Sequence, residues 1–197
     1  MNHLGGHQWI THIDEGLLKL LQFCGYKTLI DVGCGPAGNV KLARELGMEA
    51  IGIDGDPELL RLNAPNMPLI APHDYTKGRL PPQMSWDDGD HDRWDLNLTR
   101  FEVGLSTEFL EHVEEKYIPN IMDTFQRCKI VICTHGLPGE TWGHHHVNLQ
   151  TEEYWVEMFS KYGFTYSKAG TDKIRAASTM RKGFIKRTGK MFINGKH

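Results

Sequence analysis

No apolar run in this 197-residue chain approaches the roughly 18 residues that a membrane-spanning helix needs. The first residues carry no basic stretch followed by an apolar core, so the sequence reads without a secretory signal and predicts a cytoplasmic protein with no membrane partner. Cysteine is scarce and scattered: Cys24, Cys34, Cys128 and Cys133 form no C-x-x-C pair. That usage excludes a disulfide frame or a structural zinc site and suits a reducing compartment. Internal repeats and low-complexity tracts are absent as well, which removes solenoids and disordered linkers from consideration.

What is present is enough apolar material, 40% of the residues, to bury a core in one domain spanning residues 1–197. The formal net charge of −3 conceals an asymmetry. From Arg175 to His197 there are seven Lys or Arg and no acid, whereas the preceding 174 residues carry 15 basic against 25 acidic side chains. A basic end of this kind suits an anionic substrate such as a nucleotide, a phosphorylated sugar or RNA. A solvated edge hairpin is the other reading of the same residues.

The chain is organised around Thr28-Leu29-Ile30-Asp31-Val32-Gly33-Cys34-Gly35-Pro36-Ala37-Gly38. A β-branched, aliphatic strand enters three glycines at G-x-G-x-x-G spacing, and a helix is predicted from Asn39 to Leu46. Glycines let the backbone turn sharply and approach a ligand, and the helix start offers unpaired N–H groups. Ala50-Ile51-Gly52-Ile53-Asp54 reads as a second buried strand ending in an acid, about twenty residues past the first glycine, where a carboxylate can hold both ribose hydroxyls of an adenosine cofactor.

The wording D-V-G-C-G-P-A-G followed by G-I-D-G-D resembles motif I and the next acidic strand end of class I S-adenosylmethionine-dependent methyltransferases, and the resemblance extends over roughly Lys27 to Asn194. It implies S-adenosylmethionine as cofactor, with S-adenosylhomocysteine as product. It also implies that Asp31, Gly33, Gly35, Gly38, Asp54, Asp74, Tyr75 and Ser106 surround the cofactor. Asp74, after the short apolar run Leu69-Ile70-Ala71, matches the acid that faces the adenine amino group in that family. An NAD-binding reductase is the alternative that a bare glycine loop leaves open.

Strand and helix signals alternate along the chain and predict an α/β fold, a doubly wound, mostly parallel sheet with helices on both faces. By resemblance this is the Rossmann-like class I methyltransferase fold, with seven strands of which the last is antiparallel. Residues 1–26 read as an N-terminal cap, with Trp9 and His12 either in a lid or in a segment that simply covers the sheet. Residues 77–95, with Pro81-Pro82 and Asp87-Asp88-Gly89-Asp90, read as a surface loop, and no Glu follows at the spacing a calcium loop needs. A helix is expected from Glu115 to Arg127, another from Glu152 to Lys161 with Thr151 as cap, and a short one from Thr171 to Met180. Strand-like stretches are expected at Phe164 to Lys168 and Gly189 to Asn194, the latter preceded by Phe184 to Arg187.

A second constellation follows the fourth strand. Glu108-x-x-Glu111-His112 places two carboxylates and an imidazole at helical spacing on one face, and Gly143-His144-His145-His146-Val147-Asn148 follows the fifth strand. Adjacent strands bring the two loops together. Such a donor set suits Mg²⁺, Mn²⁺ or Fe²⁺ more than structural zinc. The pattern resembles the E-x-x-E-H motif of ubiquinone-pathway O-methyltransferases and, with a distal histidine ahead of a Thr-started helix, that of small-RNA 2′-O-methyltransferases. The resemblance implies Glu108, Glu111, His112 and His146 as metal ligands. The same letters also occur in metal-free methyltransferases, in which case His112 or His145 becomes the candidate general base. The expected activity is methyl transfer to the hydroxyl of a small molecule or sugar, with RNA ribose 2′-O-methylation and a non-catalytic cofactor-binding module as alternatives.

Overall fold

A computed structural model describes residues 4, 6–62, 68–87, 93–141 and 143–197. Its strands are β1 (Thr28–Val32), β2 (Glu49–Asp54), β3 (Ile70–Pro72), β4 (Gln83–Asp87), β5 (Arg93–Asn97), β6 (Phe101–Ser106), β7 (Cys128–Cys133), β8 (Phe164–Tyr166) and β9 (Lys190–Asn194). Seven of them form one sheet in the order β3-β2-β1-β6-β7-β9-β8. The first five in that order run parallel, and β9 inserts antiparallel between β7 and β8. The order reverses between β1 and β6, so the crevice of a doubly wound sheet opens beyond their carboxyl ends.

The parallel strands are buried on both faces, which accounts for their nearly continuous apolar sequences. Alternation along β1 sends Ile30 and Val32 to one core and Leu29 to the other. The helices that cover the sheet are α1 (Glu15–Phe23), α2 (Gly38–Glu45), α3 (Ile118–Phe125), α4 (Glu152–Lys161) and α5 (Lys168–Ala177). The first core packs α3 and α4 through Phe125, Trp155 and Phe159, with Phe159 stacked on Phe192 of β9 at 3.9 Å between ring centroids. The second packs α1, α2 and α5 through Leu17, Leu18, Val40 and Ile174.

Helix starts follow side-chain caps. Asp14 accepts from the Leu17 N–H at the start of α1, and Thr151 from the Tyr154 N–H at the start of α4. Ser167 accepts from the Gly170 N–H, so α5 begins three residues earlier than the sequence predicts. The helix expected over 115–127 is a 3₁₀ turn, Glu115–Tyr117, followed by the shorter α3.

Two expectations need correction. The stretch 77–95 is not a plain loop: β4 and β5 pair as an antiparallel hairpin, with Met84 and Leu96 packed on the first core. Acidic residues between the two strands mask their alternation, and Asp88, Gly89 and Asp90 of the candidate calcium loop lie outside the described residues. The basic end is not an edge hairpin either. Phe184–Thr188 forms a short helix, α6, whose Ile185 is fully buried against the second core. Among the described residues no helix is long and apolar enough to cross a membrane.

Candidate active site

The carboxyl ends of β1, β2, β3 and β6 open into one cavity of about 610 Å³, within the range of small-molecule sites. Its floor is the glycine loop. Gly33 adopts φ +73°, and a Cβ there would land on the Phe109 ring, so glycine serves both the turn and the packing. The Gly33 N–H donates to the Ile53 carbonyl at 2.8 Å and the Gly35 N–H to Asp54 Oδ2 at 2.9 Å. Asp54 Oδ1 accepts from the Asp56 N–H at 3.0 Å. Burial raises the Asp54 carboxyl above its ordinary value, against the two backbone donors that favour its charge.

Of the eight residues assigned to the cofactor, Gly33, Gly35, Asp54, Asp74 and Tyr75 line this cavity. The other three do not. Asp31 is 1% exposed beneath the loop, and Ser106 is fully buried with its hydroxyl donating to the Val32 carbonyl. Gly38 turns to the N-terminal segment, its N–H donating to Thr11 Oγ1 at 3.1 Å. The Tyr75 hydroxyl is likewise spent in the core, donating to Thr124 Oγ1. Asp74 caps the turn Tyr75–Lys77 through the Thr76 N–H at 2.9 Å.

The N-terminal segment roofs the cavity. His7 packs over Gly35 and pairs with Asp56 at 3.0 Å, and the Arg61 guanidinium sits 3.8 Å from the centre of the Trp9 ring. His7 belongs to no motif in the sequence. Its role emerges only when the fold brings it to Asp56.

At the far end of the cavity the two Glu/His loops meet. Three hydrogen bonds staple them: the Val147 and Asn148 N–H groups donate to the Glu111 carbonyl at 2.9 and 3.1 Å, and His112 Nδ1 lies 2.6 Å from the His144 carbonyl. Since a carbonyl only accepts, Nδ1 carries the proton and Nε2 keeps its lone pair. Burial, and then the neighbouring His146, push His112 down to about 4, so the ring is neutral at physiological pH. Glu111 is 1% exposed, and neither of its carboxylate oxygens has a hydrogen-bond partner among the described residues. Glu111, His112 and His146 each offer a ligand atom within 4.8 Å of the others. A Cβ at Gly143 would land on the His146 ring, so the glycine preceding the histidine run is what admits that ring.

Glu108 stands apart from this trio. It sits at φ +54°, before the 3₁₀ turn Leu110–His112, so it does not share a helical face with Glu111 as its spacing predicts. Its N–H donates to Thr134 Oγ1 at 2.7 Å, and its carboxylate accepts from the same hydroxyl at 3.1 Å while lining the cavity. Burial raises both glutamates, and each is close enough to feel a third buried carboxylate, Glu140. Glu140 pairs with Arg187 of α6 at 3.1 Å, a partnership across the fold that no local pattern signals. His145 also lines the cavity, in the left-handed conformation at φ +53°.

No protein-family model and no curated protein matches this chain. Solved structures do. The sugar N-methyltransferase KedS8 from Streptoalloteichus sp ATCC 53650 is 10% identical at a TM-score of 0.61, over 98% of this chain and 88% of that one. Human N-acetylserotonin methyltransferase, solved with S-adenosylmethionine, is 13% identical at 0.55, over 91% of this chain and 51% of its own length. The small RNA methyltransferase HEN1 is 16% identical at 0.56, over 91% of this chain and 24% of its own. The chain thus spans about half of the second protein and about a quarter of the third. With its strand order and its antiparallel β9, the chain has the fold of the class I S-adenosylmethionine-dependent methyltransferases.

Proposed function

We propose that this protein transfers the methyl group of S-adenosylmethionine to an oxygen of a small-molecule or sugar acceptor, with a divalent cation held by Glu111, His112 and His146. The observation that carries the reading is one cavity joining two chemistries. Asp54 and the glycine backbone stand at one end, and a buried carboxylate with two unpartnered oxygens lies beside two imidazoles at the other. The donor atoms fit a cation, since an uncompensated buried carboxylate is costly. One carboxylate and two imidazoles suit Mn²⁺ or Fe²⁺ better than Mg²⁺, which prefers oxygen ligands.

When bound, the cofactor supplies a methyl group already activated on a sulfonium, and the cation supplies Lewis acidity that lowers the pKa of a hydroxyl. The chain's own work is alignment and proton transfer. Asp54 and the Gly33–Gly35 backbone orient the nucleoside end, Asp74 stands at its adenine edge, and the roof excludes water. Glu108, on the cavity wall beside the trio, accepts the proton that the acceptor oxygen loses.

Calorimetric titration of S-adenosylhomocysteine, then of Mn²⁺ and Mg²⁺ into the saturated protein, tests the reading. Saturable binding of Mn²⁺ that Glu111→Gln abolishes supports it. Binding of S-adenosylhomocysteine without metal binding removes the cation and leaves the proton to Glu108 or to the imidazole of His112 or His145. No cofactor binding overturns the methyltransferase assignment. Glu108→Gln separates the two roles: turnover falls by about a hundredfold while Mn²⁺ affinity holds.

A further inference from the structure

We propose that the acceptor is a phosphate-bearing nucleotide whose ring is received by Phe184 and His12 and whose phosphate is received by Arg181, Lys182 and Lys186. The inference rests on the methyltransferase reading and names the substrate class of the same cavity. Phe184 and His12 both line the cavity, and their rings meet edge to face at 5.1 Å between centroids. The two come from opposite ends of the chain and offer a planar ring both an aromatic face and a polar edge.

The charge around them is selective. Of the seven basic residues from Arg175 to the C-terminus, Arg175 and Lys190 are committed to Glu152, at 3.7 and 2.8 Å. Arg187 is held by Glu140. Lys196 lies by Arg100 and Asp123, in a separate surface depression. Arg181, Lys182 and Lys186 remain: all three are exposed, and none has an ion-pair partner among the described residues. They flank Phe184 in sequence, and burial first, then the Lys182 charge, disfavour the protonated form of His12. A chain that is otherwise acidic therefore carries three exposed cations within three residues, in sequence, of the aromatic ring that lines its cavity. A phosphate meets the cations and a base meets the rings. The sugar between them carries the hydroxyl that the proposed reaction needs.

Calorimetry on protein saturated with S-adenosylhomocysteine, which blocks the cofactor's own adenosine site, tests this. The probes are the ribonucleoside 5′-monophosphates, the matching nucleosides, ribose 5-phosphate and a 5′-phosphorylated ribotetranucleotide. At least one monophosphate should bind about tenfold or more tighter than its nucleoside, as charge-assisted hydrogen bonds do. Lys182→Glu and the pair Arg181→Glu/Lys186→Glu should each weaken it by about tenfold and flatten its salt dependence. Phe184→Ala should weaken the nucleotides and leave ribose 5-phosphate unchanged. Tighter binding of the tetranucleotide assigns the source as RNA, and equal binding assigns a free nucleotide; both support the shared chemistry. Equal affinity for nucleoside and nucleotide, equal affinity for ribose 5-phosphate, or indifference to Lys182→Glu overturns it. The cofactor titration comes first in every variant. Failure there counts against the methyltransferase reading, whereas normal cofactor binding with no nucleotide binding counts against this inference alone.

Discussion

Replacing Asp31 by asparagine should stabilise the protein in mild alkali and weaken it in acid. The Asp31 carboxyl is 1% exposed and its Oδ1 has no hydrogen-bond partner among the described residues. Burial first, and then the nearby Asp54, push it up from 3.8 to about 7. Between those two values the folded chain holds a proton that the unfolded chain has released. Stability therefore falls as pH rises through that window and levels off above it. A carboxyl raised by about three pH units loses about 4 kcal/mol at most in this way. Asparagine removes that pH-dependent loss but leaves a buried amide in want of partners, a cost of about 1–3 kcal/mol at any pH. A net gain of about 2 kcal/mol remains at about pH 8, which raises Tm by about 4–8 °C in a chain of this size. At about pH 4 only the cost of the amide is left, and the order of the two proteins inverts. Thermal unfolding of both at about pH 4, 6 and 8 measures it. A variant less stable than the parent in alkali, or a difference that does not move in its favour with pH, would refute the reasoning.

The remaining predictions concern the site. Gly143→Ala, which drives a methyl group into the His146 ring at φ +109°, should lower Mn²⁺ affinity by about a hundredfold and leave S-adenosylhomocysteine binding intact, both read by calorimetry. Trp9→Ala, which removes the ring under the Arg61 guanidinium, should speed cofactor release by about three- to tenfold in stopped-flow. His112 should stay neutral down to about pH 5 in ring-proton NMR, so the acid limb of any pH–rate profile belongs to another group.

The parts legible in the sequence are those set by local chemistry. The glycine loop, the strand ending at Asp54 and the cap Thr151 each depend on residues a few positions apart. The parallel sheet and its two cores follow from alternation and from runs buried on both faces. The hairpin at 83–97 escapes such a reading because acids between its strands dilute a period-two pattern, and α6 because five residues are too few for a helical period to register.

Side-chain direction is the harder quantity. Glu108, Glu111 and His112 look equivalent at spacings of three and four, yet that equivalence assumes a continuous helix. The chain instead turns left-handed at Glu108, which sends its carboxylate to Thr134 and the cavity wall and leaves Glu111 to face the imidazoles. His146 joins them only because three hydrogen bonds fasten its loop to the 110–112 turn, and those bonds link residues more than thirty positions apart. Asp31 and Ser106 show the converse: motif position assigns them to the cofactor, while burial sets them beneath the cavity at the strand ends. A motif fixes which residues gather at a strand end. The handedness of one backbone turn then decides which of them can act on a ligand.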